Sequence, residues 1–138
     1  MKLRAPLTVV ACNIIAASLV ATAGYAAVRF TAWGRLTIDL PSSSTAELAR
    51  KYGDPGVLIQ RGAFIHQWVF GPAIALVVGG IAGLLYRRTD WRISTLSLAS
   101  LIFLLSTPTT VTDTASALLY AVIGWVSMKL AVSIGRLR

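Results

Sequence analysis

The stretch FIHQWVFGPAIALVVGGIAGLLYRRTDWR, residues 64–92, decides the fold. From Phe64 to Tyr86 it carries no Lys, Arg, Asp or Glu, and it stops at Arg87-Arg88. At about 1.5 Å rise per residue, a helical run of this length crosses a hydrocarbon core of about 30 Å. Paired arginines at its end mark the headgroup boundary. Gly71-Pro72 predicts a kink near its entry, because proline removes a backbone donor.

Three further stretches read as spans around this one: residues 5–28, 93–110 and 114–134, with 64–86 as the second of four. In the third, Ser94, Thr95, Ser97 and Ser100 can bond to carbonyls one turn back, which admits them to a membrane helix. Pro108, Thr109 and Thr110 read as its exit turn, and Asp113 as the N-cap of the fourth. The expected fold is therefore an all-α membrane protein, a four-transmembrane-helix bundle in one domain. Composition agrees, since 56% hydrophobic residues and a mean hydropathy of +0.72 exceed the roughly 45–50% apolar content of soluble domains. A cleaved leader is the competing reading of residues 1–23, with Lys2 and Arg4 as its basic region and Ala21-Thr22-Ala23 as its processing site. The uncharged run is longer than the 7–15 residues of such leaders, which favours an uncleaved anchor.

The basic residues set the orientation. Lys2, Arg4, Arg87, Arg88, Arg92, Lys129, Arg136 and Arg138 fall on one side against Asp90 alone. Arg29, Arg35, Arg50, Lys51 and Arg61 fall on the other with Asp39, Glu47, Asp54 and Asp113. The inside excess of positive charge places both ends in the cytoplasm, as expected for a bacterial inner-membrane protein. The formal charge of +8 is grouped beside apolar runs, so membrane lipids are its expected counter-surface and nucleic acid is not.

Residues 29–63 form an extracytoplasmic loop of about 35 residues, a length that is usually either functional or disordered. Leu36, Ile38 and Leu40 alternate with polar neighbours up to Pro41, a period-two pattern that predicts a short strand. Ser44 and Glu47 match a capping box for a short helix through Leu48 to Tyr52, stopped by Gly53. Asp54-Pro55 can open another, interfacial helix that leads to the next span. With cap signals and mixed charge, the loop is expected to contact a partner through Arg35, Glu47, Arg50, Lys51, Tyr52 and Arg61.

Chemistry is harder to find in these residues. Cys12 is the single cysteine and His66 the single histidine, so an intrachain disulfide, a thiol redox pair and a bis-histidine haem site within the chain are excluded. No acidic residue lies inside a span, which argues against proton-coupled transporters of the small multidrug-resistance type. No catalytic, metal-binding or cofactor-binding residue is expected. His66, Trp33, Trp68 and Trp91 read as interfacial anchors. Asn13, Gly79, Gly83 and Trp125 read as helix-packing residues. The expectation is a non-enzymatic accessory, assembly or immunity-type subunit that binds another membrane or extracytoplasmic protein. The rival is an oligomeric pore, transporter or holin-like protein built on a homo-oligomer.

Overall fold

A computed structural model describes residues 3–106 and 110–136; the readings that fall on Lys2, Pro108, Thr109 and Arg138 lie outside these. Among the described residues the secondary structure is helical. Helix α1 runs Arg4–Phe30, α2 Ala32–Asp39, α3 Thr45–Tyr52 and α4 Pro55–Ile65. A π-helical turn, His66–Phe70, joins α4 to α5 (Gly71–Tyr86); α6 (Trp91–Ser97), α7 (Ala99–Leu105) and α8 (Val111–Arg136) follow. Three helical stretches are long and apolar enough to cross a membrane: Arg4–Phe30, Pro55–Tyr86 and Val111–Arg136. Large apolar side chains such as Leu7, Ile14, Leu84, Phe103, Leu118 and Leu130 face outward, as lipid-facing residues do.

Glycines and alanines set how close these helices come. A Cβ on Gly79 would overlap the Gly124 backbone, with its Cα at 2.7 Å, and one on Gly83 would lie 2.7 Å from the Met128 carbonyl oxygen. The Gly79/Gly83 spacing is thus occupied inside the molecule, where α5 and α8 meet backbone to backbone. Residue numbers rise together across this contact, from Gly71 beneath Tyr120 to Gly83 beside Met128, so α5 and α8 are parallel. Helix α1 is antiparallel to α5, with Cys12 Sγ 4.0 Å from the Val78 carbonyl oxygen and Arg4 in a common groove with Arg87. The α6–α7 segment returns between them, with Leu98 on Gly124 and Ser106 on Ser116. Cys12, Ala16, Ala75, Val78, Leu101 and Tyr120 are fully buried where the segments converge.

The third segment departs from the expected continuous span 93–110. It breaks at Leu98 (φ −102°, ψ 5°) into two seven-residue helices. The Ser100 N–H, which an unbroken helix would send to Leu96 O, goes instead to Asn13 Oδ1 at 2.7 Å, while Asn13 Nδ2 donates to Leu96 O at 2.8 Å. One carboxamide from α1 replaces the missing peptide bond partner on both sides of the break. Thr95 bonds back to Trp91 O as expected, but Ser94 and Ser97 do not; their buried hydroxyls have no hydrogen-bond partner among the described residues.

The expected strand at Leu36–Leu40 is helix α2 instead. Thr31, in an extended conformation, caps it by accepting from Gly34 N at 3.1 Å. The alternation misleads because Leu36 is fully buried, whereas Ile38 is 59% and Leu40 is 40% exposed, so the three do not share a buried face. Gly34 lies directly against the Ala27 backbone, an approach that any side chain would block. The capping box of Ser44 and Glu47 is formed, and Gly53 (φ 80°) ends α3. Asp54 caps α4 through Gly56 N and Val57 N, and that helix leads, as expected, into the next span, continuing through the π turn into α5. Asp113 is not the N-cap of α8. Thr110 Oγ1 accepts from Asp113 N at 3.1 Å and donates to Asp113 Oδ2 at 2.8 Å, so the aspartate sits within the first turn, where its charge suits the helix dipole.

Candidate partner-binding cap and the polar junction beneath it

Helices α2 and α3 and the start of α4 form a cap on the end of the bundle remote from Arg4 and Arg87. Asp39 at the end of α2 holds it together. Its Oδ2 accepts from Lys51 Nζ and from Tyr52 Oη, both at 2.6 Å, tying α2 to α3. These hydrogen bonds hold the Asp39 carboxyl below its usual range and raise Lys51 above its own. Glu47 is likewise held down, because its Oε2 accepts from Ser44 N at 2.9 Å. Trp33 of α2 lies over Gly62 of α4, where a Cβ would be 2.6 Å from the indole, and meets His66 edge to face at 4.8 Å. An apolar cleft of about 290 Å³ lies alongside, lined by Gly24, Ala27, Trp33, Ile59 and His66.

The six residues expected to contact a partner therefore divide in two. Glu47, Lys51 and Tyr52 hold the cap together and are engaged within it. Arg35, Arg50 and Arg61 are exposed and, among the described residues, outside any ion pair; Arg35 Nε donates to Thr31 O at 3.3 Å. The three acidic residues of the segment are all engaged at short range, Asp39 by Lys51 and Tyr52, Glu47 and Asp54 as helix caps. With Arg29 also exposed, the cap's outward charge is cationic.

Beneath the cap lies a polar junction that sequence reasoning missed. The π turn directs the Gly71 N–H to His66 O, five residues back, and Pro72 has no N–H to offer the next carbonyl, that of Gln67. Tyr120 Oη, reaching across from α8, donates to Gln67 O, and only glycine at position 71 leaves room for the tyrosine ring. The Gln67 side chain in turn donates to Asp113 Oδ1 at 3.0 Å and Ser116 Oγ at 2.9 Å. Ser106 closes the network by bonding to Asp113 O and Ser116 Oγ. The signal was present in the sequence: Gly71-Pro72 demands an outside donor, and Asp113, Ser116 and Tyr120 recur on one helix face.

Of the expected packing residues, Asn13, Gly79 and Gly83 lie at helix contacts, as described above. Trp125 lies at the edge of these contacts. It is 36% exposed, about 100° around α8 from the Gly124 contact, and Lys129 Nζ sits 3.8 Å above its ring. The one-turn spacing explains this: the ammonium covers the indole on the outer face as it extends toward the helix end. His66 is half-buried against Trp33 and Phe70, and its Nδ1 lies 3.3 Å from Gly62 O. Among the described residues no three His, Cys, Asp or Glu side chains gather as a metal site would require. No family model matches the chain, and neither a curated protein nor a solved structure matches it.

Proposed function

We propose that the protein is a small membrane-anchored accessory subunit, whose work is to bind the acidic surface of another membrane or extracytoplasmic protein through its cap. The observation that carries this reading is the charge balance of residues 29–61: Asp39, Glu47 and Asp54 are taken up in the cap's own hydrogen bonds, whereas Arg29, Arg35, Arg50 and Arg61 are exposed and, among the described residues, outside any ion pair. A pre-folded surface loses less entropy on binding than a disordered loop, and arginine is enriched at interface hot spots.

The proposed placement has four crossings of a bacterial inner membrane, the cap outside and both ends of the bundle inside. The fourth crossing is α6–α7. Trp91 to Leu105 spans only about 22 Å as a helix, short of a typical core of about 30 Å. Support comes from its course, antiparallel to α5 and α8 from the Arg87 end to the Gln67 end, and from the Asn13 carboxamide that satisfies its broken backbone within the protein, as a crossing segment requires.

Extraction in mild detergent followed by affinity purification of the tagged chain tests the reading. A stoichiometric partner is expected with the native cap, and replacing Arg35, Arg50 and Arg61 together by Glu should remove it while leaving the chain folded. Recovery of a ring of identical subunits that conducts ions in a planar bilayer would establish the pore reading in its place.

A further inference from the structure

The geometry points to a binding site for an anionic phospholipid at the end of the bundle opposite the cap, centred on Arg87. Three concavities meet at this residue. One, of about 460 Å³, lies between α1 and α5, with Arg4 and Arg87 at its edge and Leu7, Ala11, Leu84 and Leu85 along it. A second, of about 470 Å³, lies between α5 and α8, with Arg87 and Arg136 over Gly83, Leu84, Ala131 and Val132. The third, of about 350 Å³, joins Arg4, Tyr86, Arg87 and Arg88. No acidic residue lines any of the three, and none of these arginines is in an ion pair among the described residues.

The charge pattern selects the occupant. Each of the two larger grooves has guanidinium groups at the helix ends and an aliphatic channel running along the bundle, which matches a phosphodiester above an acyl chain. Guanidinium is the side chain best suited to phosphate, since it offers parallel donors and stays charged. A basic pocket between transmembrane helices on the cytoplasmic side is the setting in which acidic headgroups bind. Arg87 is also the one non-glycine residue with positive φ (59°) among those described; it closes α5 by donating its N–H to Gly83 O. A left-handed helix-end position is usually filled by glycine or asparagine. Here an arginine occupies it, at the point that all three grooves share.

This site is far from the cap, so its test does not depend on the partner reading. Purified full-length protein in neutral detergent is titrated with phosphatidylglycerol or phosphatidylcholine of matched chains, and bound lipid is counted by native mass spectrometry. The native chain should retain phosphatidylglycerol preferentially. R87G should lower that retention about fivefold, the effect of one surface arginine on anionic-lipid binding, and R136Q by a similar factor. Glycine is favoured at the φ of position 87, so R87G should melt no lower than the native chain. If it melts lower, R136Q, at an exposed helix end, decides the matter. Equal retention of the two lipids, undiminished phosphatidylglycerol binding in R136Q, or occupation by millimolar inorganic phosphate with the same dependence on Arg87 and Arg136 would each overturn the assignment.

Discussion

Replacing Asn13 by Leu probes the break in the third segment most sharply. The substitution keeps the branching at Cγ and the number of side-chain heavy atoms and removes both halves of the bridge, so Ser100 N–H loses its acceptor and Leu96 O loses a donor. An orphaned buried polar group costs about 1–3 kcal/mol. Interhelical hydrogen bonds measured in membrane proteins average about 0.6 and reach about 1.7 kcal/mol, because the unfolded chain also finds partners. Two orphaned groups therefore set an expected loss of about 1–3 kcal/mol. The N13L chain has one escape, which is to straighten the segment so that Ser100 N–H bonds Leu96 O directly. Leu98 would then have to leave its present conformation, in which its side chain lies on Gly124. Reversible unfolding in mixed micelles gives the stability change, and amide hydrogen exchange at Ser100 gives the local one. Native-like stability within about 0.5 kcal/mol, together with unchanged protection at Ser100, would refute the reasoning.

Tyr120→Phe should destabilise by about 1–2 kcal/mol by leaving Gln67 O without a donor, and adding Pro72→Ala should recover part of the loss by restoring an N–H; a double-mutant cycle reads the coupling. Gly79→Ala should destabilise by about 1–3 kcal/mol through overlap with the Gly124 backbone. Gly24→Ala, with open space around it, should gain up to about 1 kcal/mol of helix stability in the same unfolding assay. The cap should loosen in acid. Asp39 and Glu47 have lowered folded values, so their contribution is present above their unfolded values of 3.8 and 4.5 and is lost as pH falls through the lower folded ones. Lys51 acts oppositely: its contribution is present below 10.5 and fades as pH rises beyond its raised folded value. Proteolysis of the cap against pH checks both limits, and Asp39→Asn should abolish the acid dependence associated with that residue.

The long apolar helices and the capping box at Ser44 were legible because each is written in adjacent residues. Hydrophobic run length and a three-residue spacing suffice to read them. What escaped depended on residues far apart in the chain. Nothing local to Leu36–Leu40 distinguishes a strand from a helix; Thr31 as cap and the close approach of Gly34 to Ala27 decide it. Asn13 was recognisable as a hydrogen-bonding residue, but not as the bridge across Leu96 and Ser100, 83 and 87 residues away. Likewise, the charges of the loop were countable in the sequence, whereas their separation into acids engaged by the cap's own hydrogen bonds and arginines outside any ion pair among the described residues appears only in the fold, where α2 and α3 are joined through Asp39. Nothing local to Trp125 tells how far it turns from the helix contacts; the Gly124 contact shows which side of α8 faces inward.

In the proposed placement the chain passes four times between a cytoplasmic arginine end and an external cap. Single cysteines at Ser43, Thr89 and Thr110, in a background where buried Cys12 is replaced by Ala, test it directly. With an impermeant thiol reagent on intact cells, positions 43 and 110 should label and position 89 should label only after permeabilisation. Labelling of 89 and 110 from the same side would mean that α6–α7 does not cross, and would contradict the account.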